Sequence, residues 1–187
     1  RSVFNSCQAL REVVMGDNVV AIGKKAFYEC KSMTSIRMSA NVSTIEEEAF
    51  SGCSSLESVV IPSGVTVLSD DAFCNCSALN VVDIQGQISA IGSRAFSGCS
   101  QIGQMLLAPK LGSAAFSGCA NLAKVVFDDA TTEIPNDCFA GCTSLEEIVI
   151  PDAVVKIGKN AFSGCTGIKK LVLPARLKEI GESAFNN

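Results

Sequence analysis

Ala49-Phe50-Ser51-Gly52-Cys53-Ser54-Ser55-Leu56-Glu57-Ser58-Val59-Val60-Ile61-Pro62 carries the plan of the whole chain. The Val59-x-Ile61 step has period two, which predicts a short strand with both side chains turned inward. Pro62 lacks a ladder donor and suits the end of that strand. Gly52 can supply the positive φ of a turn. Working outward, the phenylalanine recurs as Phe4, Phe27, Phe50, Phe73, Phe96, Phe116, Phe139, Phe162 and Phe185, with seven gaps of 23 residues and one of 20. A fixed period in that range means one supersecondary unit stacked on copies of itself, a solenoid without a single centre.

Aligned on phenylalanine, the other columns fall into place. Cysteine recurs at Cys7, Cys30, Cys53, Cys76, Cys99, Cys119, Cys142 and Cys165. Aliphatic columns follow it, beginning at Leu10, Val13 and Met15. The Ile22-Gly23 to Ala26-Phe27 stretch places apolar residues four and five apart, which predicts one helical turn on the back of each coil. Stacking sets the strands parallel at roughly 4.8 Å, so eight coils extend on the order of 40 Å. No single repeat could bury these columns alone.

Residues 49–62 match, almost letter for letter, the repeat L-x-x-L-x-L-P-x-x-L-x-x-I-x-x-x-A-F-x-x-C. The chain thus resembles the BspA-like, or Treponema pallidum-type, leucine-rich repeat proteins over essentially its whole length. The resemblance implies an α/β repeat solenoid: a right-handed superhelix with a parallel sheet on the concave face and short helical turns on the convex face. It would form a single array over 1–187, with about eight 23-residue coils and a short 20-residue coil at 97–116. Members are mostly surface proteins of bacteria and some protists, implicated in adhesion and host-protein binding. By resemblance, then, the partners are proteins, host or extracellular-matrix proteins among them, and the location is the cell surface or extracellular.

Composition narrows the chemistry. There is no histidine, which removes the usual general base and the commonest metal ligand. Without a phosphate loop or a nonrepeating acid–base cluster, no catalytic site stands out and no enzyme, cofactor or metal is expected. A net charge of −4 argues against nucleic acid as a partner. No apolar run approaches the roughly 18–20 residues of a membrane helix, so no direct membrane insertion of this segment is expected. Between Arg37 and Arg94 the charges are all acidic, whereas Lys156 to Lys178 is mostly basic. Solvated faces account for this asymmetry; self-association or a charged ligand is the sharper reading. Polar capping units are not evident at either end, which leads us to expect a piece of a longer array. Asn41-Val42-Ser43 and Asn75-Cys76-Ser77 would be glycosylation sequons in a secreted eukaryotic protein.

Ten cysteines in a short chain invite a disulfide framework. Eight of them, however, share one structural column, where side chains on parallel rungs point the same way. Reduced, buried thiols are therefore expected, with Cys138 in the core and Cys74 the most accessible. Metal binding has no C-x-x-C support.

The short coil runs Met105-Leu106-Leu107-Ala108-Pro109-Lys110-Leu111-Gly112. Its strand is intact, so the missing residues come from the arm after it. The next coil carries Thr131 where others have Val19, Val42 or Val65. This predicts that the lost arm uncovers Thr131, in a dent lined by Lys110, Asp128, Asp129, Thr131 and Glu133; the alternative is a tolerated deletion on a variable edge. Two adjacent aspartates fall far short of a calcium cage.

The strand residues facing out are candidate binding residues. One column is Val14, Arg37, Val60, Asp83, Leu106, Val126, Val149 and Val172; the other includes Glu12, Val81, Gln104, Lys124, Glu147 and Lys170. An exposed apolar stripe flanked by charge suits a protein partner, although β-branched residues favour strands wherever they face. These readings favour a protein-binding scaffold on the concave sheet. The alternative is a structural subunit or interaction scaffold within a larger assembly.

Overall fold

A computed structural model describes residues 3–186; Arg1, Ser2 and Asn187 lie outside the described residues. The chain winds through sixteen strands, two to a coil. The first eight are β1 (Glu12–Val14), β2 (Ala21–Ile22), β3 (Ser35–Arg37), β4 (Thr44–Ile45), β5 (Ser58–Ile61), β6 (Val67–Leu68), β7 (Val81–Ile84) and β8 (Ala90–Ile91). The rest are β9 (Gln104–Leu106), β10 (Lys110–Leu111), β11 (Lys124–Val126), β12 (Glu133–Ile134), β13 (Glu147–Val149), β14 (Lys156–Ile157), β15 (Lys170–Val172) and β16 (Glu179–Ile180). Odd-numbered strands stack as a front face and even-numbered strands as a second face. Every pairing is parallel and in rung register, as with Val13 beside Ile36 and Ile22 beside Ile45.

The phenylalanines stand in single file. Successive rings from Phe4 to Phe185 are stacked with centroids 5.1 to 5.6 Å apart and planes within 4 to 11° of parallel. From Phe50 to Phe162 they are fully buried. Phe127 adds an edge-on contact to Phe139 at 5.8 Å.

The expected helical turn on the convex face is corrected: no helix occurs among the described residues. The arc around Phe27 is a run of tight turns whose amides alternate between two destinations. Ala26, Tyr28 and Cys30 donate three residues back, to Gly23, Lys25 and Phe27. Between them Lys25, Phe27 and Glu29 donate to Glu47, Ala49 and Ser51 of the next rung, at 3.1, 2.8 and 2.8 Å. A helix would need all of these donors within the segment. The alternation also forces left-handed backbone two residues before and two after each phenylalanine, as at Lys25 (φ 57°) and Glu29 (φ 58°). Glycine fills the second position at Gly52, Gly98, Gly118, Gly141 and Gly164, as the turn requires. Elsewhere an L-residue takes that conformation at a cost of roughly 1–2 kcal/mol, offset by the inter-rung bonds.

All ten cysteines are free thiols. They do more than fill space. Cys30 donates its S–H to the Phe4 carbonyl at 3.0 Å, and Cys53, Cys76, Cys99, Cys119, Cys142 and Cys165 repeat this bond to the preceding rung at 3.1 to 3.3 Å. The Phe27 carbonyl also accepts the Cys30 amide of its own rung at 3.2 Å, so the two donors occupy both of its lone pairs. A second inter-rung ladder therefore runs beside the aromatic file.

The short coil shears this regularity. Only three residues link β9 to β10, whereas six link β1 to β2 and β11 to β12. A link so short cannot reach both faces in register. Accordingly β9 pairs forward with β11 and not with β7, while β10 pairs backward with β8 and not with β12. The front face is thereby parted between β7 and β9, and the second face between β10 and β12.

Thr131 corrects a second expectation. It is fully buried, not uncovered, and its hydroxyl has no hydrogen-bond partner. It is buried despite the shortened neighbour. An orphaned buried hydroxyl costs roughly 1–3 kcal/mol, and the equivalent slots hold the buried Val42, Val65 and Val154. Thr131→Val is therefore expected to stabilise the fold by about 1 kcal/mol. The urea midpoint checks this; a lower midpoint would mean that the hydroxyl is satisfied.

Candidate functional site

Inward and outward positions alternate along each front strand as predicted. On β11 and β13, Val125 and Ile148 are buried, whereas Lys124, Val126, Glu147 and Val149 are exposed. All the proposed binding residues stand on this outward side: Glu12, Val14, Arg37, Val60, Val81, Asp83, Gln104, Leu106, Lys124, Val126, Glu147, Val149, Lys170 and Val172 are each exposed.

The structure does not bring them together evenly. On the first four front strands the stripe alternates, Val14 beside Arg37 and Val60 beside Asp83. On the four-stranded sheet β9–β15 it is continuous. Leu106 lies beside Val126, and Val149 beside Val172. These four side chains are 67, 47, 71 and 59 % exposed and together form a continuous apolar patch. Next to them Lys124, Glu147 and Lys170 alternate in charge across registered strands.

The charge asymmetry along the sequence is met in part within the molecule. Lys24 pairs with Glu47, Lys25 with Glu48, Arg94 with Asp71, Lys156 with Glu179, Lys159 with Glu182, and Lys169 with Glu146. Each pair is one rung apart. Such surface pairs are individually weak. The Arg94–Asp71 pair is bidentate, at 2.8 and 2.6 Å.

The predicted dent is relocated. Thr131 is buried, and Asp128 turns its carboxylate onto the Ala130 amide at 2.8 Å. Two depressions lie on the other side of the short coil, where β7 and β9 part. One of about 460 Å³ is walled by Val81, Val82, Ile84, Gln104, Met105 and Leu106. The other, about 550 Å³, continues past Ile84 to Ile88, Leu107, Pro109 and Asp128. Sequence reading missed this place, although Pro109 signalled it. The equivalent residues Ser89 and Val155 donate their amides to the preceding rung, and proline has none to donate.

Several of the buried thiols are poor nucleophiles. Burial pushes Cys53 up to about 12 and Cys74 up to about 11, and Cys76 and Cys119 are also held well above the usual thiol value by burial. Cys74, expected as the most accessible, is half-buried, as is Cys7 in the first rung. Among the described residues no cluster of three or more His, Cys, Asp or Glu is placed to hold a metal, and no helix is long and apolar enough to cross a membrane.

The model of the BspA-type leucine-rich repeat region matches in six copies over residues 1–103 and 108–187. The chain belongs to the BspA-type leucine-rich repeat family. The four residues left out, 104–107, contain β9 of the short coil. A leucine-rich repeat protein of T. pallidum is similar in structure, with a TM-score of 0.80 and 28% identity over 86% of this chain and 79% of its own. A leucine-rich cell-surface protein of Faecalibacterium prausnitzii A2-165 shows a TM-score of 0.65 and 25% identity over 100% of this chain and 59% of its own. A leucine-rich repeat protein of Eubacterium ventriosum ATCC 27560, with a TM-score of 0.58 and 22% identity over 97% of this chain and 44% of its own, shares the fold. The chain thus spans little more than half of the Faecalibacterium protein. No curated protein matches it in sequence.

Proposed function

We propose that this BspA-type repeat array is a non-enzymatic protein-recognition scaffold, displayed at a cell surface, that binds through the outward side of its front sheet. The observation that carries this reading is the unbroken stripe Leu106, Val126, Val149 and Val172 on the four registered strands β9–β15. Exposed apolar groups held rigid by a sheet and bordered by charge fit the core-and-rim pattern of a protein interface. The stripe costs little to bind because the rungs already hold it in one conformation. Surface display draws on the similarity to the Faecalibacterium cell-surface protein, and adhesion to host or extracellular-matrix proteins is the role that follows from it.

The double variant Val126→Asp, Val149→Asp tests the site, since both side chains are exposed and their replacement leaves the core intact. Against a panel of purified extracellular-matrix and host-surface proteins, any partner of the parent chain should bind the variant at least about tenfold more weakly, corresponding to roughly 1.4 kcal/mol. Equal binding by a variant with an unchanged melting temperature would reject the stripe as the contact surface.

A further inference from the structure

The parting of β7 from β9 leaves two strand edges facing one another in the middle of an otherwise paired front face. β7 is hydrogen-bonded to β5 alone, and β9 to β11 alone. No backbone hydrogen bond joins residues 80–86 to residues 102–108 among the described residues. The other discontinuity in the front face, between β3 and β5, is different, because the Glu57 amide still donates to the Thr34 carbonyl at 3.3 Å across it. Between β7 and β9 no such bond remains, and two depressions of about 460 and 550 Å³, within the size range of ligand sites, open there, against about 260 Å³ at the β3–β5 discontinuity. Side chains that are buried elsewhere are reached from this opening. Val82 and Ile84 are only half-buried, whereas their counterparts Val59 and Ile61 on β5 are 1 and 0 % exposed.

Free backbone donors and acceptors beside half-covered aliphatic side chains select an extended chain, because only a strand meets both needs at once. We propose that an extended polypeptide segment of a partner binds in this opening as an added strand, parallel to β7. Alternate side chains of the segment cover Val82 and Ile84, and its backbone takes the free edge of β7. The three-residue link between β9 and β10 is the cause of the site, since it draws β9 away from β7. The proposal rests on the protein-recognition reading but not on the exposed stripe. Its test needs no natural partner, so failure here leaves the Val126, Val149 comparison standing.

The probe is a synthetic decapeptide copying residues 55–64, Ser-Leu-Glu-Ser-Val-Val-Ile-Pro-Ser-Gly, whose Ser58–Ile61 portion already pairs with β7 through its other edge. Isothermal titration calorimetry should give a submillimolar Kd. Of two copies N-methylated on alternate strand residues, at least one should bind about tenfold more weakly. Hydrogen exchange should slow at Val81–Ile84 or Gln104–Leu106. A variant with three residues inserted before Pro109, restoring the 23-residue coil, should close the opening and lose binding. No binding at about 1 mM peptide, slowed exchange confined to the end strands β1 or β15, or equal binding by a folded insertion variant would each overturn the proposal.

Discussion

Phe96→Ala is expected to cost about 3–5 kcal/mol, the range for emptying a fully buried aromatic site. Phe96 is 0 % exposed and stacks on Phe73 at 5.5 Å and on Phe116 at 5.6 Å, so truncation breaks the file on both sides. It also lies at the coil where the two faces part in opposite directions, so each of its interfaces keeps one paired face, β8 with β10 on one side and β9 with β11 on the other, beside the turn amides. In a stack whose stability is a sum of rung and nearest-neighbour terms, a weak interface uncouples the units flanking it. The urea transition of the variant should therefore move to lower denaturant and become broader. Phe4→Ala gives the contrast: with one aromatic neighbour and 44 % exposure, it should cost no more than about 1 kcal/mol. Equal losses at the two positions would contradict a stack in which each rung shelters the next.

Alkaline pH should unfold the array. Thiols in an unfolded chain titrate near about 8.5, whereas burial holds the proton on Cys53 up to about 12 and on Cys74 up to about 11. Cys76, Cys119 and Cys138 are raised by burial as well. Above about pH 8.5 the unfolded state binds fewer protons than the folded state, so stability falls as pH rises. The thiol contribution is complete below that pH and is lost progressively until the folded values are passed. Each such group contributes up to about 1.4 kcal/mol per pH unit. Cys53, Cys76, Cys119 and Cys138 acting together would overcome a stability on the order of 10 kcal/mol within about two to three units. Urea midpoints at pH 7, 9 and 10 check this, with thiolate absorbance expected to appear together with unfolding and not before it. A midpoint unchanged from pH 7 to 10 would mean that the column is solvated.

Much of the site was readable because it obeys a local rule. Period two places Val125 and Ile148 inward and Val126 and Val149 outward whatever surrounds them, and a constant repeat then stacks like on like. The back of the coil was misread for a related reason. Apolar residues four and five apart, as Ile22, Ala26 and Phe27 are, satisfy a helical turn and a chain of tight turns equally well. The difference lies in where the Lys25 and Glu29 amides go, and their acceptors are a rung away. The thiol ladder was hidden likewise, since its acceptors belong to the preceding rung.

Spacing alone was enough to establish a stacked array, the file of rings, the buried thiol column and the identity of the outward stripe, since each follows from one rung repeated. Which rung each strand of the short coil would join was decided only in three dimensions. A three-residue link between β9 and β10 cannot serve both neighbours, and the two faces divided in opposite directions. That division placed the opening between β7 and β9. It could not be read from the chain because it reflects competition between two hydrogen-bonding partners, and that competition exists only once the rungs are stacked.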